Sequence, residues 1–261
     1  MKAGLLWVSC GKDLEWFRYS AKSYTKFVTG FTQAICAVPE EDKAAFAPVC
    51  HQHGIELIAY PDWPGKGFLR HMDIKCRADQ LFTPDIEYIY HIDSDCIFTS
   101  RCSYVDFLVK DKPVLDCAPF QWLESTHRDW KYLFRWKRVS EEALGFQVDF
   151  ETMQSLPIVY YRSVYSKTRN LVSNNVGKDF SEYLSLCKNS FPQSFCEFNT
   201  LGTVALNFFT EKYFVWDRSK LGKLLPYSGR LIQFWSHGGL DGVDENQNQT
   251  ARQVLLKLDL I

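Results

Sequence analysis

Asp93, Ser94 and Asp95 follow a short apolar run, Glu87–Ile92, that reads as a buried β-strand. On an extended chain residues i and i+2 point the same way, with Cα atoms about 6.6 Å apart. Two carboxylates on one side repel and raise one another's pKa unless a cation lies between them. A hard divalent ion bridging Asp93, Asp95 and the diphosphate of a ligand would resolve that repulsion. As an isolated tripeptide, the same residues read first as two solvated acids in a strand-end turn.

Other chemistry-bearing residues are spread along the chain. Arg70 and Lys75 lie on a helix expected over Gly67–Phe82. Five residues turn a helix through about 500°, so at most one of the two reaches a common phosphate. Glu197 opens a helix expected over Glu197–Phe209. There it also reads as an acid placed to satisfy the helix dipole. Thr126–Arg138 carries five Lys/Arg and one Asp, and its Trp130, Tyr132, Phe134 and Trp136 alternate with Lys131, Arg135 and Lys137. On a strand one face would be aromatic and the other mostly basic. On a helix the pairs 130/134 and 132/136 would meet at i,i+4.

The elements that must position these groups follow a regular order. Strands at Gly4–Ser9, Thr32–Val38, Ile55–Tyr60 and Glu87–Ile92 alternate with helices at Asp13–Phe27, Glu40–His53 and Gly67–Phe82. That alternation predicts a parallel sheet with right-handed crossovers. Ligands of such sheets sit beyond the carboxyl ends of the strands. The rule selects the Ser9–Asp13 turn, the loop after Tyr60 and the residues after Ile92. The later half is less regular. Strands are expected at Lys112–Ala118, Pro157–Tyr161, Lys212–Trp216 and Leu231–Trp235, and helices at Val164–Val172 and Gln247–Leu260. We expect an α/β fold, a mixed Rossmann-type sheet flanked by helices. It forms a single domain, 1–261, in two lobes, 1–100 and 101–261.

Composition bounds the function. The 261 residues are 46% hydrophobic, enough for a sizeable core without staples. A net charge of -1 argues against nucleic-acid or anionic-membrane binding over the whole surface, though not against a local basic site. Nine cysteines without a CxxC pair read as reduced, mostly buried thiols. Cys50-His51-Gln52-His53 lacks a second ligand pair at zinc-finger spacing. No apolar run is long enough to span a membrane and no leader-like cleavage site occurs, so we expect a cytoplasmic protein.

Tyr88–Phe98, with its Asp93-Ser94-Asp95, resembles the DXD strand of GT-A-fold glycosyltransferases. Gly67–Lys75 is similar to the G-[FWY]-x-R-Q-x-x-x-K helix of several such families, with His71 where Gln is usual. Cys196–Gly202 resembles an S-E-[FY]-x-x-x-G segment of a GT-A-like family, with Cys196 where Ser is usual. Pro157–Arg162 adds to the resemblance, which covers roughly residues 3–240. His237, followed by Gly238, resembles the late His that completes the metal site in glycogenin-like enzymes, and reads otherwise as a surface loop residue.

The resemblance implies a nucleotide-sugar-using, metal-dependent hexosyl- or pentosyltransferase. Residues 1–100 would bind the donor, a UDP-sugar for preference, and 101–261 the acceptor. Asp93, Asp95 and His237 would hold Mn²⁺ (or Mg²⁺), the imidazole favouring manganese. Ser9, Asp13, Arg70, Lys75, Asp93 and Ser94 would line the donor site. Glu197 would be the base of an inverting reaction, or Glu197 or Asn199 would orient the acceptor in a retaining one. Trp130, Arg135 and Trp136 would form an acceptor platform for a glycan or modified DNA. Two rivals remain: a nucleotidyltransferase of similar fold, and a non-catalytic carbohydrate- or nucleic-acid-binding protein.

Overall fold

The computed structural model describes residues 1–126, 130–188, 194–234, 239–241, 243–244 and 249–261. The chain opens with β1 (Ala3–Val8), α1 (Leu14–Phe27), β2 (Val28–Thr29), β3 (Gln33–Pro39), α2 (Lys43–Gln52) and β4 (Glu56–Tyr60). It continues through α3 (Gly67–Cys76), α4 (Ala78–Leu81), β5 (Tyr88–Ile92), β6 (Cys96–Phe98), β7 (Cys102–Ser103) and β8 (Leu108–Val109). Next come β9 (Lys112–Pro119), α5 (Phe120–Thr126), α6 (Trp130–Leu144), β10 (Phe150–Glu151), β11 (Ile158–Tyr161) and α7 (Arg162–Val176). Then α8 (Phe180–Leu186), α9 (Glu197–Phe208), β12 (Phe214–Asp217), α10 (Arg218–Leu221) and β13 (Leu231–Gln233) follow. β14 (Val243–Asp244), β15 (Gln249–Thr250) and α11 (Ala251–Lys257) end the described elements.

The main sheet runs β11-β5-β1-β3-β4. Its four early strands are parallel, as their alternation with helices requires, and β11 joins the edge antiparallel to β5. A smaller sheet, β10-β9-β12 with β8 on β9, and an antiparallel pair β13-β6 lie beyond it. The architecture is α/β, with mixed sheets flanked by helices. No described helix is long and apolar enough to cross a membrane, and all nine cysteines are free thiols.

Strand alternation divides the core. Every residue of β1 is buried, because helices cover both faces of a parallel sheet. Leu6 and Val8 pack with Leu69, Val164, Phe198 and Leu201, on the side of α3, α7 and α9. Leu5 and Trp7 pack with Phe17, Phe46 and Tyr90, on the side of α1 and α2. Each fully buried Leu contributes roughly 1.5–3 kcal/mol by leaving water. A third cluster fastens α11 to Trp16, Ile97 and Phe234.

Some elements differ from expectation. The helix expected over Gly67–Phe82 breaks at Arg77, whose guanidinium turns to Asp73 (3.1 Å) and Ser181 (3.0 Å). The aromatic, basic segment, open between strand and helix in the sequence, is helical from Trp130. Its Leu133 and Phe134 face the core, and Phe134 packs edge-on against Phe120 at 5.3 Å. Helices α5 and α8 had no counterpart in the sequence reading. The second starts from Asp179, whose carboxylate accepts from Ser181 N and Glu182 N as an N-cap.

Candidate active site

β5 delivers Asp93, Ser94 and Asp95 at the carboxyl end of the parallel sheet. Cys96 N donates to Asp93 O at 3.1 Å and closes the turn into β6. Ser94 and Asp95 are buried, and the Asp93 side chain keeps 34% of its surface exposed. The Ser94 hydroxyl donates to Ser9 Oγ at 2.7 Å, tying the β5 turn to the end of neighbouring β1. Ser9 is fully buried and its N–H continues the sheet to Ala37 O at 2.9 Å, so it braces the turn. Asp13 sits beside Cys10, whose thiol donates to it at 3.5 Å, at the start of α1.

Helix α3 places Lys75, and not Arg70, on the carboxylates. Lys75 Nζ lies 3.3 Å from Asp93 Oδ1 and 3.2 Å from Glu197 Oε1, with the Phe198 ring centroid 4.5 Å away. Burial opposes the charge on Lys75, but the fields and hydrogen bonds of Asp93 and Glu197 outweigh it, so its pKa rises. Arg70 points elsewhere. Its Nε donates to Pro61 O at 3.0 Å, it pairs with Asp73, and its guanidinium stacks over Tyr60 and Trp63. The two cations diverge as a five-residue helical spacing demands.

Glu197 opens α9 and is buried, its carboxylate turned to Lys75. Asn199 is fully buried and faces away from that pair. Its Oδ1 accepts from Thr152 N at 2.7 Å and its Nδ2 donates to Glu151 Oε1 at 3.4 Å. Glu151 was not among the sequence candidates. Burial pushes its pKa up to about 7, against hydrogen bonds from Met153 N and Asn199 that lower it.

Gln233 is the other residue that sequence reasoning missed. Antiparallel pairing sets Gln233 against Cys96, and Phe234 N donates to Asp95 O at 2.9 Å. Gln233 Nε2 then donates to Asp93 Oδ2 at 3.3 Å and to Asp95 Oδ1 at 3.5 Å. The only sequence signal was a polar residue inside the apolar run Leu231–Trp235.

His71 replaces the Gln of the resembled motif. Its Nε2 is buried without a hydrogen-bond partner among the described residues. Burial, reinforced by Lys75, lowers its pKa to about 3 and keeps it neutral near pH 7. His237 lies outside the described residues, as does the side chain of Trp130. Arg135 is exposed and Trp136 half-buried on α6, away from the core-facing Phe134. Cys50 and the Cys36 thiol adjoin each other within the core, while His53 Nδ1 lies 2.8 Å from Thr25 Oγ1.

Among the described residues the connected groups include the carboxylates of Asp93, Asp95 and Glu197, the ammonium of Lys75 and the amide of Gln233. Among the described residues no group of three or more His, Cys, Asp or Glu converges as a complete metal site. Asp93 and Asp95 nonetheless aim one oxygen each at a single atom of Gln233. That convergence, in an all-oxygen carboxylate pair, suits a hard divalent cation. No protein family matches the chain, and no characterised protein is significantly similar to it.

Proposed function

We propose that the protein is a metal-dependent glycosyltransferase that moves a sugar from a nucleotide-sugar donor to a hydroxyl acceptor. The observation that carries this reading is the convergence of one oxygen each of Asp93 and Asp95 on a single atom of Gln233 at the carboxyl end of a parallel sheet, with Lys75 joining Asp93 to Glu197. A divalent cation between Asp93 and Asp95 would offset their mutual repulsion, and a diphosphate would then have a counter-charge there. Sequence supports the same reading through the DXD-like strand and the helix of Lys75.

Asp93 and Asp95 would hold the cation. Gln233 could join them by a half-turn of its amide, since the oxygen and nitrogen of that group exchange places in such a turn. When bound, the ion supplies Lewis-acid stabilisation of the departing diphosphate. Lys75 holds Asp93 and Glu197 in register, so that the carboxylates present fixed rather than mobile charge. Ser9 fixes the turn through Ser94. Glu197 takes the acceptor proton in an inverting reaction and orients the acceptor in a retaining one. The amide of Asn199 is committed to Thr152 and Glu151, which leaves Glu197 as the group for either course.

The test separates chemistry from binding. Glu197→Gln should abolish sugar transfer while leaving nucleotide-sugar binding intact. Asp95→Asn should abolish the metal dependence of that binding. Wild-type turnover in Glu197→Gln would remove it as the base, and unchanged metal dependence in Asp95→Asn would contradict the reading.

A further inference from the structure

A cleft of about 390 Å³ opens beside the carboxylate pair. Its polar wall is made by Gln154, Ser155, Arg218, Lys223, Ser228 and Gln233. Gln233 is therefore shared: it lines the cleft, and its side-chain amide donates to the oxygens of Asp93 and Asp95. The cleft is formed by the segments around 154–156 and 218–233. Its volume is that of a small-ligand site. A nucleic-acid duplex, whose major groove alone is about 12 Å wide, does not enter such a space.

The charge of its lining is one-sided. Arg218 and Lys223 line it, and no carboxylate does among the described residues. Arg218 is held rigidly, with Nε 2.9 Å and Nη2 2.7 Å from the two oxygens of Asp116, and Nη2 also donates to Ser155. Its Nη1 has no hydrogen-bond partner among the described residues. Asp116 neutralises part of the charge of Arg218, so among the described residues the lining cation without a carboxylate partner is Lys223. That residue is exposed, with its ammonium 6.0 Å from the Trp122 ring centroid. The cleft thus carries an exposed cation at Lys223, a hydroxyl and amide lining, and, in Gln233, a residue hydrogen-bonded to Asp93 and Asp95.

We propose that this cleft binds the acceptor, and that the acceptor is a sugar unit carrying an anionic group, phosphate or carboxylate. The inference rests on the glycosyltransferase reading and deepens it by naming the acceptor class. The anionic group sits at Lys223 and Arg218, and the reacting hydroxyl points inward past Gln233. A neutral sugar would leave the Lys223 ammonium without a carboxylate partner among the described residues, and Arg218 with Asp116 alone. Acceptor recognition is thereby assigned to the 218–233 segment, and not to the exposed Arg135 face of α6.

Calorimetry on the full chain, with Mn²⁺ and UDP present, tests the proposal. Glucose 6-phosphate and glucuronic acid are the anionic probes, and glucose is the neutral comparator. At least one anionic probe should bind tenfold or more tightly than glucose, and which one does identifies phosphate or carboxylate as the group. Lys223→Glu should remove that preference and Lys223→Ala should weaken it. Both should bind UDP with Mn²⁺ within twofold of wild type. Lys223 is exposed, so both variants should fold, and a thermal melt checks this. Equal binding of charged and neutral probes, or no effect of either variant, overturns the proposal. So does competition by UDP for the anionic sugar, which would make the cleft the donor site. If UDP and Mn²⁺ bind but the anionic preference is absent, this inference fails and the glycosyltransferase reading survives. If a Lys223-dependent anion site persists without any binding of sugar nucleotides, the glycosyltransferase reading fails instead.

Discussion

Lys75 and Glu197, 122 positions apart in the chain, meet at 3.2 Å through their charged atoms. That contact joins α3 to the first residue of α9, and it brings the Glu carboxylate beside the DXD turn through Asp93. Lys75 is buried, so its charge persists only because two acids surround it.

Lys75→Met should therefore destabilise the fold. Removing one partner of a buried ion pair strands the other, at a cost of about 3–5 kcal/mol. Adding Glu197→Gln should recover part of that loss, because the stranded carboxylate is then gone. Urea unfolding of the two single variants and the double variant measures the coupling. Strict additivity would contradict a direct Lys75–Glu197 interaction.

Gln233→Glu should make stability depend on metal. A third carboxylate beside Asp93 and Asp95 adds like-charge repulsion in the absence of a cation. The melting temperature should drop without Mn²⁺ and recover when it is added. An equal drop in both conditions would count against the pair as a cation site.

Much of this arrangement was legible in the sequence, and the reasons are local. An apolar run ending in acids at i and i+2 marks a strand end with two carboxylates on one side, and β5 is built that way. Helical spacing alone separated Lys75 from Arg70. Gln233 was not legible, because it meets Asp93 only through the β13–β6 register, 140 positions away. The form of α6 was ambiguous because aromatics spaced at i+2 also fall at i+4, and its packing on Phe120 decided the matter. Asn199 looked available beside Glu197, but Thr152 takes its carbonyl oxygen once the 150s fold against α9.

Glu151→Gln should stabilise the protein at high pH. Glu151 is fully buried and its pKa is raised from 4.5 to about 7 by burial. The folded state therefore holds this proton more tightly than the unfolded state. Its stability contribution is complete below about pH 4.5 and is lost as pH rises through about 7. A shift of that size corresponds to roughly 3 kcal/mol. The variant should melt above wild type at pH 8.5, and the gap should close by pH 5. A gap of the same size at both pH values would contradict a buried, proton-binding Glu151.

Gly202→Ala should lower stability by about 1–3 kcal/mol through overpacking. A Cβ at this position would lie 2.1 Å from Thr152 Oγ1. Thr152 cannot swing aside cheaply, because its hydroxyl donates to Phe198 O at 3.0 Å and its N–H to Asn199. Equilibrium unfolding reads the loss, and a variant as stable as wild type would show that α9 and the 152 segment are not in this contact.

The most direct measurement is a thermal-shift series with UDP-, GDP-, CMP- and dTDP-sugars, each with and without Mn²⁺. A ligand at 100 times its dissociation constant adds about 2.7 kcal/mol to the folded state. The account predicts a clear rise with at least one sugar nucleotide, dependent on Mn²⁺ and lost in Asp93→Asn. No metal-dependent rise with any of the four, or one that survives intact in Asp93→Asn, would contradict it.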